Sequence, residues 1–121
     1  MAGSVAKFNK AQRDLGRALF EAAAASPVET AWQEAFLDAR FPGNSSALFA
    51  KCRVRLATGN VVSIEAPDGT STLLRKLWEL RGSGPVRDWY GLVLVVVPDG
   101  NCRIDYNFDK DCAADPTFYD D

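Results

Sequence analysis

The sequence predicts an α+β fold: a largely antiparallel sheet of about five strands, with two main helices packed on one side as a two-layer sandwich. Three observations predict it. Two segments repeat apolar residues at helical spacing. Several others alternate apolar and polar residues with period two. The strands that follow one another directly are joined by short turn sequences, which favours antiparallel pairing.

The first helix begins at about Ser4, a residue able to cap it. Val5, Phe8, Ala11, Leu15, Ala18, Leu19 and Ala22 then form one apolar stripe. Lys7, Lys10, Arg13, Asp14, Arg17 and Glu21 fill much of the remaining surface. Ser26-Pro27 is a stop signal, because the residue before a proline is steered away from helical backbone. The next segment, Trp32 to Phe41, has the Glu and Ala content of a helix. A strand is favoured there, because Pro42-Gly43-Asn44-Ser45 makes a turn into another strand-like run.

Lys51-Cys52-Arg53-Val54-Arg55-Leu56 alternates basic and apolar residues and predicts a strand with one buried face. Thr58-Gly59-Asn60 turns the chain into Val61 to Glu65, and Pro67-Asp68-Gly69 ends that run. Thr70 or Ser71 can cap the second helix, whose apolar face is Leu73, Leu74, Leu77, Trp78 and Leu80. Gly82-Ser83-Gly84-Pro85 terminates it. Leu92 to Val97 is almost wholly apolar and β-branched, as expected of a central strand covered on both faces. Pro98-Asp99-Gly100-Asn101 leads into Cys102 to Asp109, where Cys102, Ile104, Tyr106 and Phe108 alternate with polar residues.

Chain length and composition set the class. The 121 residues fit one domain, 1–121, and no internal repeat or linker divides them. Hydrophobic residues at 47% and charged residues at 25% are ordinary for a folded protein, not a disordered one. The apolar run from Gly91 to Val97 falls far short of a membrane span, so no membrane partner is expected. The opening Met1-Ala-Gly-Ser-Val-Ala-Lys has no apolar signal core, which predicts a cytoplasmic location. Cys52, Cys102 and Cys112 are an odd number without a CxxC, so a reduced setting without disulfide or zinc is expected. Cys52 and Cys102 fall at apolar strand positions and are expected to be buried.

The sequence has no histidine. That removes the commonest general base and metal ligand, and every Ser-His or Cys-His arrangement. No pair of carboxylates is spaced for glycosidase-type work. A catalytic site, a cofactor and a metal are therefore not expected. Asp105-x-Asn107-x-Asp109-x-Asp111 opens like a calcium loop but has Lys110 and Pro116 where that loop needs Gly and Glu. The basic residues Lys51, Arg53 and Arg55 read as a solvated or salt-bridged strand face. With a pI near 5.1 they do not suggest a nucleic-acid site.

Charge is distributed unevenly. Asp105 to Asp121 contains six aspartates against Lys110, a net of −5. The first 104 residues hold 13 basic and 10 acidic side chains, a net of +3. The acidic segment also carries Tyr106, Phe108, Phe118 and Tyr119. Aromatic rings give contact area, and carboxylates steer association with a basic surface. A protein that holds phosphates presents such a surface, so this segment suits a phosphate-mimicking interface. Alternatively, the rings pack on their own domain and leave the aspartates in water.

The closing part carries a resemblance. Trp89-Tyr90-Gly91-Leu92, Val97-Pro98-Asp99-Gly100, Ile104-Asp105-Tyr106-Asn107-Phe108-Asp109 and Asp115-Pro116-Thr117-Phe118-Tyr119-Asp120 resemble segments of YezG-like immunity proteins. These belong to bacterial polymorphic toxin systems, including those of contact-dependent growth inhibition. The resemblance covers most of the chain in outline, and in detail it rests on these closing segments. It implies an antitoxin that binds and neutralises a cognate toxin domain, commonly a nuclease, in the cytoplasm. The expected contact residues are Asp105, Asp109, Asp111, Asp115, Phe118, Tyr119 and Asp120. Three other readings stand beside it, one of them an orphan homodimer paired through an exposed edge strand. An adaptor without a toxin would lack a strongly acidic surface, and a small carboxylate enzyme would have a deep acid-lined pocket.

Overall fold

The computed structural model describes residues 2–25, 31–41, 48–81 and 88–114. They form α1 (Ala2–Ala25), β1 (Trp32–Arg40), β2 (Phe49–Leu56), β3 (Val61–Ile64), α2 (Thr70–Leu80), β4 (Gly91–Val96), β5 (Cys102–Asn107) and a 3-10 turn, Cys112–Ala114. The segment whose composition suits helix or strand is a strand. The fold is the predicted α+β two-layer sandwich.

All five strands join one sheet, in the order β3-β2-β1-β4-β5, and every pair is antiparallel. Leu37 lies opposite Cys52 on one side and Leu94 on the other, Cys52 opposite Ile64, and Leu94 opposite Ile104. Period two therefore sends one apolar set from every strand to the same face. The helices cover that face. α1 lays Phe8, Ala11, Leu15, Leu19 and Ala23 onto it, and α2 adds Leu74 and Leu77. The spacing of three and four residues in each helix is what keeps those side chains on one stripe. Each large side chain buried this way contributes about 1.5–3 kcal/mol. β1, in the centre, offers small Ala35 and Ala39 beside Leu37, which leaves room for α1 to sit close.

As expected, β4 is an interior strand, flanked by β1 and β5, and it is covered on both faces along most of its length, since Val95 is 6% exposed although it points away from the helices. Two expectations about helix caps need correction. Ser4 is not the capping position of α1, because the helix already begins at Ala2. Neither Thr70 nor Ser71 caps α2: the capping position is Gly69, with φ 85°, and no side chain bonds there. The tight Pro67-Asp68-Gly69 turn demands that left-handed residue. Thr70, the first residue of the helix, is buried. The predicted turn at Pro42–Ser45 and the stop signals at Ser26-Pro27 and Gly82–Pro85 lie outside the described residues.

An aromatic cluster closes one end of the sandwich. Phe41, just past β1, stacks on Trp78 of α2 with centroids 4.4 Å apart. Trp89 meets both edge-on, at 5.8 and 5.7 Å. The Arg81 guanidinium lies 3.4 Å over the Trp78 ring and donates to the Trp89 carbonyl at 3.2 Å. Rings and cation thus tie the end of α2 to the segments flanking β1 and β4. Among the described residues, no helix is long and apolar enough to cross a membrane.

Candidate protein-binding surface

The face of the sheet away from the helices carries the other half of each alternating pattern. From β1 come Glu34, Phe36, Asp38 and Arg40; from β2, Lys51, Arg53 and Arg55; from β4, Val93 and Val95; from β5, Arg103, Asp105 and Asn107. Register sets opposite types side by side. Asp38 lies between Lys51 and Val93, and Phe36 between Arg53 and Val95. Arg55 Nε is 3.6 Å from Glu34 Oε1, and its guanidinium sits 5.6 Å from the Phe36 ring centroid. Arg40 Nε is 3.3 Å from Asp38 Oδ1. The stripe Lys51, Arg53 and Arg55 is therefore embedded among acidic and aromatic neighbours, the salt-bridged face expected from the alternation.

Beyond β5 the chain folds back onto one end of this face. Asn107 Oδ1 accepts from the Asp109 N–H at 2.9 Å, and Asp109 Oδ1 accepts from the Asp111 N–H at 2.9 Å. Two successive Asx turns therefore shape the acidic segment from within. The 3-10 turn follows, with Cys112 and Ala113 buried. Arg40 Nη1 donates to the Cys112 carbonyl at 2.7 Å, and the Cys112 thiol donates to the Tyr90 carbonyl at 3.4 Å. Gly91 permits this close approach. A Cβ there would stand 3.0 Å from the Ala39 carbonyl oxygen and 3.2 Å from Cys112 Sγ.

Asp109 and Asp111 are exposed beside Phe108, which is 59% exposed. Asp105 is exposed on the β5 face, where Arg103 Nε reaches its Oδ2 at 3.1 Å. Asp115, Phe118, Tyr119 and Asp120 lie outside the described residues. Tyr106 departs from the surface set. It turns under α1 against Phe8 and Trp89, with centroids 6.1 and 5.1 Å away, and its hydroxyl donates to Gln12 Oε1 at 2.6 Å. Burial holds its phenol well above the ordinary range. The alternation Cys102, Ile104, Tyr106 already points it at the apolar face.

The sequence matches no protein-family model, and no curated protein aligns with it significantly. The chemistry of the surface has to be read from its own residues. A shallow groove of about 420 Å³ between α1 and β5 is lined by Asn9, Gln12, Arg13, Cys102 and Ile104, none of them a carboxylate. Among the described residues, no group of three or more acidic or cysteine side chains is arranged to hold a metal ion.

The cysteines divide by burial. Cys52 is 5% exposed, and burial pushes its thiol up to about 11. Burial also raises the Cys112 thiol, with Arg40 opposing the shift. Cys102, expected to be buried, is exposed, because β5 is an edge strand and Cys102 opens it. At about pH 8, iodoacetamide is expected to modify Cys102 at least roughly tenfold faster than Cys52 or Cys112 in the native protein, read by peptide mass spectrometry. Since the folded Cys52 value is raised, its contribution is complete below about pH 9.0 and is lost as pH climbs towards 11. Denaturant melts should show that decline. Equal labelling of all three thiols in the native protein would refute the burial assignment.

Proposed function

We propose that this chain is an immunity protein that binds a cognate toxin domain, a nuclease, and neutralises it in the cytoplasm. One observation supports this reading above the others. The acidic segment after β5 is held in a defined shape by its own Asx turns while presenting Asp109, Asp111 and the Phe108 ring to solvent. That pairing of carboxylates with an exposed ring suits the basic surface with which a nuclease grips phosphates. Asp105 borders the same surface from β5, and the sequence continues the chemistry with Asp115, Phe118, Tyr119 and Asp120. In this role the aspartates pair with lysines and arginines of the toxin, and the rings anchor the contact. The protein needs no catalytic group or cofactor, which agrees with a sequence that has no histidine.

The test is co-expression with the product of the reading frame immediately upstream, affinity capture, and calorimetry at low and high salt. Tight 1:1 binding that weakens as salt rises is the expected result, because exposed charge pairs are screened. No binding, or an upstream product that is harmless when expressed alone, would overturn the proposal.

A further inference from the structure

We infer that β5 is a self-pairing edge, through which two copies of this chain join their sheets about a two-fold axis at Ile104. β5 ends the strand order, and among the described residues no strand lies on its outer side. The Val97 N–H donates to the Asn101 carbonyl at 3.0 Å. Backbone groups alternate in direction along an antiparallel ladder. With Val95 opposite Arg103 and Val93 opposite Asp105, the groups of Arg103 and Asp105 therefore face β4. Those of Cys102, Ile104 and Tyr106 face outwards, a row of donors and acceptors able to take another strand.

The occupant follows from charge. In an antiparallel pair centred on Ile104, that residue meets its own copy as a hydrogen-bonded pair, and Cys102 meets Tyr106 of the second copy. The same register sets Arg103 opposite the second copy's Asp105, and Asp105 opposite its Arg103. Both pairs lie on the helix-free face, where neighbouring opposite charges are favourable. Arg103 and Asp105 already attract one another within one chain at 3.1 Å, with side chains 68% and 65% exposed. A register shifted by two residues loses both cross-strand pairs. On the helix side, the groove bounded by Asn9, Gln12 and Arg13 opens next to Cys102 and Ile104 and leaves space for side chains of the second strand. The joined sheet would have twice the strands of one copy.

The register makes a test that needs no toxin. Arg103→Asp makes the strand doubly acidic, and Asp105→Arg makes it doubly basic. Analytical ultracentrifugation of the full chain should show a dimer for the native protein and a monomer for each variant alone. Mixed in equal amounts, the two variants should form a 1:1 heterodimer, since acid then faces base across the axis. Circular dichroism melts establish that each variant is folded. Ile104→Pro, which removes the central outward N–H and none of the bonds to β4, should also be monomeric. A native protein that stays monomeric at its solubility limit would overturn the inference. So would a dimer that survives all three substitutions, or two folded variants that fail to associate with each other.

Discussion

Replacing Trp89 by alanine is expected to cost about 3–5 kcal/mol, the range for a large aromatic removed from a packed core. Trp89 is fully buried and touches Phe41, Trp78 and Tyr106, so its loss opens a cavity bounded by rigid rings that cannot collapse. Native domains are stable by only about 5–15 kcal/mol, so this single change removes a large share. The melting temperature should fall on the order of 15 °C. Trp89→Phe should be much milder. The indole Nε1 has no hydrogen-bond partner among the described residues, and a phenyl ring deletes that buried donor while keeping most of the contact area. Phe108→Ala serves as the opposite control. The Phe108 ring is mostly in water. The effect of removing it should stay within about 0.5 kcal/mol, as for most surface changes. Urea melts measure all three. A loss below about 1 kcal/mol for Trp89→Ala, the size of an average substitution, would mean that the ring does not anchor the core.

The second large effect concerns binding. Changing Asp105, Asp109 and Asp111 together to asparagine is expected to weaken toxin affinity about 100-fold, at roughly 1 kcal/mol or somewhat less per charge. The association rate should fall at least several-fold, because steering by long-range charge is lost. Asparagine is the informative replacement. Its side-chain carbonyl can still accept the Asp111 N–H that Asp109 Oδ1 now takes at 2.9 Å, so the turn survives and only charge is removed. Stopped-flow association and a thermal melt separate the two effects. Unchanged affinity in a folded triple variant would place the toxin contact on another face.

Much of the fold is legible in the sequence because its signals are local. The alternation in Lys51 to Leu56 and the helical repeat from Phe8 to Leu19 each need only a short window, and both elements are where the periodicity puts them. β1 is harder. Its buried residues are Ala35, Leu37 and Ala39, and alanine by itself favours helix over strand, so only the neighbouring turn favours the strand. The exposure of Cys102 depends on which strand ends the sheet, a fact of topology that no stretch of sequence encodes. The fold-back of the C-terminal segment is illegible for a similar reason. It rests on Arg40 and Cys112, residues 72 positions apart. Of the candidate contact residues, Asp105, Asp109 and Asp111 are solvent-facing, as their aspartate identity suggests. Tyr106 belongs to the same segment by proximity in sequence, while strand alternation sends it to the other side of the sheet.

The fastening of residues 107–112 has a thermodynamic consequence. Both ends of this stretch are fixed, one by β5 and the other by the Arg40 and Tyr90 bonds to Cys112, and its interior is shaped by two Asx turns. A partner that docks here meets a stretch whose backbone freedom was already surrendered when the protein folded. Little ordering entropy remains to oppose association, about 1–2 kcal/mol less per residue than for a flexible tail. Recognition through this stretch should therefore proceed as rigid docking, with a heat-capacity change matching the contact area alone and no added signature of coupled folding.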